Sequence, residues 1–209
     1  MEKTFYPIRH GETEMNIKNI FRGRLEIPLN ENGKEQMKLL GKVLKDKEIE
    51  IIFSSPLRRS MMSAEILGEI LGIKIIPMEE FNNINLGIWQ GKEKEKVKKE
   101  YPNEWNLWIN DPDNFKIQGG ETLEEIRNRI EKGIKKLIKR KEKNIAIVTH
   151  RSILKVIFAY ILDLKKEYFW KFYFDNASYS IFKYKKEMGF QIFGLNINTH
   201  LKNKTIEKF

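Results

Sequence analysis

The chain has 209 residues, 41% of them hydrophobic and 33% charged, with a net charge of +10 and no cysteine. That length supports a proper core in one domain, and the composition is globular rather than disordered. The lack of cysteine excludes disulfide staples, thiolate zinc sites and cysteine nucleophiles, and it fits a reducing compartment.

The amino end, "MEKTFYPIRH", has no cationic segment followed by a long apolar one, and no run approaches the ~18 apolar residues of a membrane span. The expectation is a soluble, cytoplasmic protein with no membrane partner. The excess of lysine alternates with glutamate, as in "GKEKEKVKKE" (91–100), which reads as solvated helix surface. No aromatic-interleaved basic stripe points to nucleic acid. The positive field favours anionic small molecules instead.

In chain order, residues 3–8 predict a first strand. Met37, Leu40, Val43 and Leu44 within 30–48 have helical spacing, with Asn30 as the cap. A buried strand over 49–55 stops at Pro56, and a helix over 56–72 carries that proline in its first turn and a glycine at its end. Residues 73–77 predict another strand. From 92 to 118 periodicity fails, and "YPNEWNLWINDPDNF" reads as a cap or lid insertion whose Trp105 and Trp108 pack it onto the body. Order returns over 119–141, where Leu123, Ile126, Ile130, Ile134, Leu137 and Ile138 form one stripe behind a Thr122–Glu125 capping box. A strand over 144–150, a helix over 152–162 and strands near 178–184 and 190–194 complete the pattern. Alternating strands and helices predict an α/β protein with a largely parallel sheet.

In such sheets ligands bind beyond the carboxyl ends of the strands. Three predicted strands end in "IRHGET", "FSSPLRR" and "IVTHRS", which gathers Arg9, His10, Arg58 and His150 if those strands are neighbours. Two guanidiniums grip a phosphoryl group through planar hydrogen bonds, and cationic surroundings keep His10 neutral and nucleophilic. Neither strand-tip histidine has a metal-ligand spacing or a carboxylate pair, so no metal is expected. The remaining histidine, His200, reads as ordinary.

Taken together, "RHGETEMN" (9–16), "RGRLEIPLNENGKEQ" (22–36), "SSPLRRSMMSAEI" (54–66), "NLGIWQGK" (85–92), "GGET" (119–122), "IVTH" (147–150) and "NAS" (176–178) resemble, in order, the motifs of the histidine phosphatase superfamily, also called phosphoglycerate mutase-like. The resemblance implies a three-layer α/β/α sandwich with a mostly parallel central sheet, forming a single domain over 1–209 with the insertion at 92–118. It implies that His10 is the nucleophile and that Arg9, Arg58 and His150 hold the phosphoryl oxygens. Asn16 would line the pocket, and Gly11, Arg22 and Gly23 would belong to the substrate-binding set. It further implies phosphomonoester hydrolysis through phosphohistidine, without metal or cofactor, on a small phosphate ester, by a monomer or homodimer. The wording of the motifs is similar to broad-specificity and α-ribazole phosphatases. A cofactor-dependent mutase and a catalytically weakened phospho-ligand-binding relative are the alternatives.

One position departs from the family. The family's general acid is a glutamate four residues before the glycine of the G-x-W-x-G stretch, and here that position is Asn83. An amide cannot donate a proton and remain a stable anion, and general acid catalysis is worth ~10²–10⁴-fold. Three readings follow: the enzyme is weakened, another acid replaces it, with Glu79 and Glu80 nearest in sequence, or the residue has been altered to trap a complex. Arg151 also stands in place of the usual glycine after the second histidine, and Lys155 in place of an arginine.

Overall fold

The computed structural model describes residues 2–201; residue 1 and residues 202–209 of the expected domain lie outside them. The elements in chain order are β1 (Glu2–Arg9), α1 (Glu14–Ile17), α2 (Glu31–Leu44), β2 (Ile51–Ser54), α3 (Arg58–Leu71), β3 (Lys74–Pro77), α4 (Lys94–Glu100), α5 (Pro102–Asn110), α6 (Leu123–Ile138), β4 (Asn144–Thr149), α7 (Arg151–Ile161), β5 (Tyr179–Lys185) and β6 (Gly189–Ile197). They build one six-stranded sheet in the order β3-β2-β4-β1-β5-β6. The strands β3, β2, β4 and β1 run parallel, and β5 and β6 add an antiparallel edge.

Strand side chains alternate between faces, and here both faces are apolar. Phe5, Ile51, Phe53, Ile145 and Ile147 point to the side covered by α6 and α7. Tyr6, Ile8, Ile52, Ala146 and Val148 point to the side covered by α2 and α3. The result is the expected three-layer sandwich. Each fully buried Leu or Ile of these layers contributes roughly 1.5–3 kcal/mol of transfer free energy.

The caps match the sequence signals. The Asn30 side chain accepts from the Gly33 amide at 2.8 Å, and the Thr122–Glu125 box opens α6. Helix α3 ends at Gly72, whose φ of 67° is left-handed, a conformation glycine adopts without a Cβ clash. The proline expected inside α3 instead lies before it: Leu57 is the N-cap, so Pro56 belongs to the turn leaving β2.

Within 92–118 the structure has two short helices where periodicity predicted none. In α4 only Val97 is buried, so no repeating stripe is visible. In α5 the proline at the first turn starts the helix. Trp108 is buried against Trp89, Phe115, Phe169 and Trp170, with ring centroids 5.0–6.2 Å away. Trp105 lies 6.3 Å from Trp89 and 6.2 Å from Phe21. Both tryptophans therefore pack the insertion onto the body, and both also reach the cleft described next.

Candidate active site

The chemistry gathers where β2, β4 and β1 end side by side. The His10 amide donates to the Thr149 carbonyl at 3.0 Å, and the Ser55 amide to the Val148 carbonyl at 2.9 Å. These bonds set His10, Ser55 and His150 next to one another. From the other side, the Ala177 amide and the Asn176 side-chain amide donate to the His10 carbonyl at 3.2 and 3.1 Å. Gly11 is pressed against the start of α2, where a Cβ would come within 2.5 Å of the Gly33 carbonyl oxygen. The His10 backbone is thus fixed by β4, by the segment before β5 and by α2.

The two imidazoles lie with ring centroids 5.2 Å apart, edge to face. His10 Nδ1 is 2.7 Å from the Gly11 carbonyl. A carbonyl only accepts, so Nδ1 carries the proton and Nε2 keeps its lone pair. His150 Nε2 is 2.8 Å from Ser55 Oγ, and that hydroxyl itself accepts from the Leu57 amide. Ser60 Oγ lies 3.4 Å from the same nitrogen, and His150 Nδ1 has no hydrogen-bond partner among the described residues. Burial, then the charges of Arg59 and Arg9, holds His10 well below the usual histidine value of 6.5. Burial and Arg59 do the same to His150. Both rings are neutral at pH 7.

These shifts make stability depend on pH with a definite sign. In the unfolded chain the same rings take up protons near 6.5, so below that value the unfolded state binds more protons than the folded one. Their contribution is complete above about pH 6.5 and is lost as pH falls. Denaturant midpoints measured between pH 7.5 and 5 should decline below the histidine value, and His10→Gln should flatten that decline. An unchanged slope in the variant would contradict the buried, neutral assignment.

Arg9 is buried and lines the cleft, with Nη1 donating to the Phe174 carbonyl at 2.9 Å. The second guanidinium differs from the one expected. Arg58 is exposed, and its backbone amide meets Glu26 outside the cleft. Arg59 is fully buried, its Nη atoms donating to Leu25 and Gly23 carbonyls at 2.9 and 2.8 Å. Neighbouring helical residues point about 100° apart, so only one of the pair can face the sheet. Arg59 is on the face shared with Ser63 and Leu67, the buried stripe of α3. Burial beside Arg22 pushes Arg59 down to about 9, which leaves it charged at neutral pH. Arg59→Met should lower kcat/KM about 10²–10³-fold, while Arg58→Met should stay within about threefold. Equal losses in the two variants would contradict this placement.

Other candidates divide. Arg22 and Gly23 line the cleft with His10. Asn16 does not line it; its side-chain oxygen accepts from the Thr13 amide and hydroxyl at 2.9 and 2.7 Å and so shapes the loop after His10. Gly11 likewise serves the close approach to Gly33 rather than the cavity wall. His200 lies away from the site, beside Tyr179, 3.0 Å from the Ala177 carbonyl. Ser55, Arg59 and Asn176 went unnoticed as site residues, although each falls within a quoted motif.

Asn83 lines the cleft at the expected position. Its Nδ2 donates to the Gly23 carbonyl at 2.8 Å, and its Oδ1 accepts from Ser152 Oγ at 2.7 Å. Glu79 and Glu80 lie elsewhere: Glu79 accepts from Asn82, and Glu80 is paired with Lys136. Glu121 comes near the Asn83 backbone but is held by Arg24 and Arg129. No Asp or Glu among the described residues lines the cavity, which measures about 90 Å³. No group of three or more His, Asp or Glu side chains among the described residues is arranged to hold a metal ion.

A pair of neutral imidazoles flanked by buried guanidiniums at the carboxyl edge of a parallel sheet is an arrangement chemically suited to holding a phosphoryl group. The chain belongs to the histidine phosphatase superfamily (branch 1), whose model matches residues 5–198. It is 32% identical over 195 residues to phosphoserine phosphatase 1 of Hydrogenobacter thermophilus, covering 93% of this chain and 92% of that protein. It is also 32% identical over 195 residues to the uncharacterized phosphatase PhoE of Bacillus subtilis, covering 93% and 94%. Among solved structures, YhfR of Bacillus stearothermophilus superposes with a TM-score of 0.89 at 28% identity, covering 95% of this chain and 98% of that one. The class that family and site define is a hydrolase of phosphate monoesters.

Proposed function

We propose that this protein hydrolyses phosphate monoesters of small metabolites through a phosphohistidine formed on His10. The Nε2 lone pair attacks phosphorus in line with the ester oxygen, the N–P bond forms and the P–O bond breaks. Arg9 and Arg59 neutralise the equatorial oxygens, and the His150 Nδ1–H donates to one of them. The departing alkoxide takes its proton from water, because Asn83 cannot supply one. A second in-line attack, by water, releases inorganic phosphate and restores the neutral imidazole. The observation that supports this best is the pair of neutral imidazoles 5.2 Å apart beside Arg9 and Arg59.

Residues 92–118, with α4 and α5, act as the cap that shapes the substrate end of the cleft. We place the activity in the cytoplasm; no helix among the described residues is long and apolar enough to cross a membrane. O-phosphoserine is the first substrate to assay, given the name of one relative. The expected result is release of inorganic phosphate from small monoesters, unaffected by chelator. Transfer between phosphoglycerates without net release would favour the mutase reading instead.

A further inference from the structure

Two serines flanking the turn from β2 to α3 take no part in the chemistry above, yet both touch the second imidazole. Ser55 follows the last residue of β2, and Ser60 lies in the first turn of α3; both are fully buried. Ser54 pairs with Val148 across the sheet, and the Ser55 amide donates to the Val148 carbonyl at 2.9 Å, which sets Ser55 beside the end of β4. Its hydroxyl oxygen then stands 2.8 Å from His150 Nε2, and that of Ser60 stands 3.4 Å from the same nitrogen. His150 is 2% exposed and lines the cleft, with its ring centroid 5.2 Å from that of His10. Its other nitrogen, Nδ1, has no hydrogen-bond partner among the described residues.

Burial, then the charge of Arg59, keeps this ring neutral, and a neutral imidazole has a single N–H to place. The two tautomers differ in what they offer a phosphoryl oxygen. With the hydrogen on Nδ1 the free edge of the ring is a donor. With the hydrogen on Nε2 that edge is a lone pair, which repels the oxygen. The serine hydroxyls decide between these states, because a buried hydroxyl hydrogen without an acceptor is costly. Ser55 Oγ already accepts from the Leu57 amide at 3.4 Å, and among the described residues the acceptor within reach of its own hydrogen is Nε2. Ser60 brings a second hydroxyl to the same nitrogen. A proton on Nε2 would deprive both hydroxyl hydrogens of that acceptor.

We propose that Ser55 is a positioning residue for His150: its hydroxyl donates to Nε2, fixes the ring proton on Nδ1 and holds that donor ready for the phosphoryl group on His10. This rests on the phosphomonoesterase reading above. Ser55 itself does not meet the substrate. It orients the ring before the reaction, so that no reorganisation is needed as charge develops on the phosphoryl oxygens. Ser60, at the longer distance, gives the weaker support.

The test reads the tautomer directly. The chain has three histidines, so long-range proton–nitrogen NMR spectra of labelled protein can resolve every ring, and His150→Gln identifies the His150 signals by their loss. At neutral pH the wild type should show His150 protonated on Nδ1 and bare on Nε2. In Ser55→Ala the ring should become a mixture of tautomers, and kcat on a phosphate ester should fall about 10–100-fold, with KM changed far less. Ser60→Ala should shift the tautomer less. Ser54→Ala is the control: it removes a buried hydroxyl that bonds the Ser55 carbonyl at 2.9 Å, and it should leave tautomer and rate close to wild type. A wild-type ring protonated on Nε2, or a tautomer unmoved in Ser55→Ala, would overturn the proposal. So would a larger shift in Ser60→Ala, or an equal loss of rate in Ser54→Ala. The spectra need no substrate. Protein with the expected spectra but no activity on any ester would therefore sink the hydrolase reading alone.

Discussion

His10→Ala should lose on the order of 10⁴–10⁶-fold in phosphate release while remaining folded. The side chain makes one hydrogen bond, to the adjacent Gly11 carbonyl. The bonds that hold this segment to Thr149, Ala177 and Asn176 all come from its backbone. Removing the imidazole therefore deletes the nucleophile and leaves the frame in place. Arg9 and Arg59 remain, so phosphate or an ester should still bind. Steady-state assays with circular dichroism and calorimetry check all three points. Residual activity within tenfold of wild type would exclude His10 as the acceptor.

The second large effect runs in the opposite direction. Asn83→Glu should raise turnover of an alkyl phosphate by about 10²–10⁴-fold and that of an aryl phosphate much less, because a phenolate leaves without protonation. The site is suited to the change. Residue 83 already donates a hydrogen bond to the Gly23 carbonyl and accepts one from Ser152. A protonated carboxyl can donate and accept as the amide does, whereas a carboxylate facing the Gly23 carbonyl cannot donate, which raises its pKa toward that of a useful acid. Asn83 also fails as a base for the attacking water. Stopped-flow with an aryl ester should then give a burst of phenolate followed by slow phosphate release, and Asn83→Glu should abolish the burst. Equal acceleration of alkyl and aryl esters would show that residue 83 does not serve the leaving group.

Much of this site could be read in the sequence because the apolar strands stop at residues that carry chemistry. "IRHG", "FSSP" and "IVTH" mark the ends of β1, β2 and β4, and the sheet order β2-β4-β1 makes those ends neighbours. The counting that led to Asn83 relied on a short motif with fixed spacing around it, and Asn83 lines the cleft. The choice of Arg58 over Arg59 failed because adjacent arginines look alike until the helical face is assigned; the Arg59, Ser63, Leu67 stripe was the available signal. Asn16 and Gly11 match motif positions; the structure adds the Asn16 bond to Thr13 and the close approach of Gly11 to Gly33, which no residue type reveals by itself. Helices α4 and α5 stayed hidden because one exposes nearly all its residues and the other packs aromatic rings in several directions. Lys94 of α4 and the α7 pair Arg151 and Lys155 come from segments far apart in the chain, and only the fold brings them to one cavity.

The covalent step can be seen directly. Enzyme mixed with an aryl phosphate and quenched in alkali within milliseconds should carry one phosphoryl group per chain, stable to base, labile to acid, and located by peptide mass spectrometry on His10. The label should be absent from His10→Ala and should accumulate because Asn83 slows its hydrolysis. Ester turnover at the normal rate with no acid-labile label in the quenched protein, or a label on another residue, would contradict the mechanism.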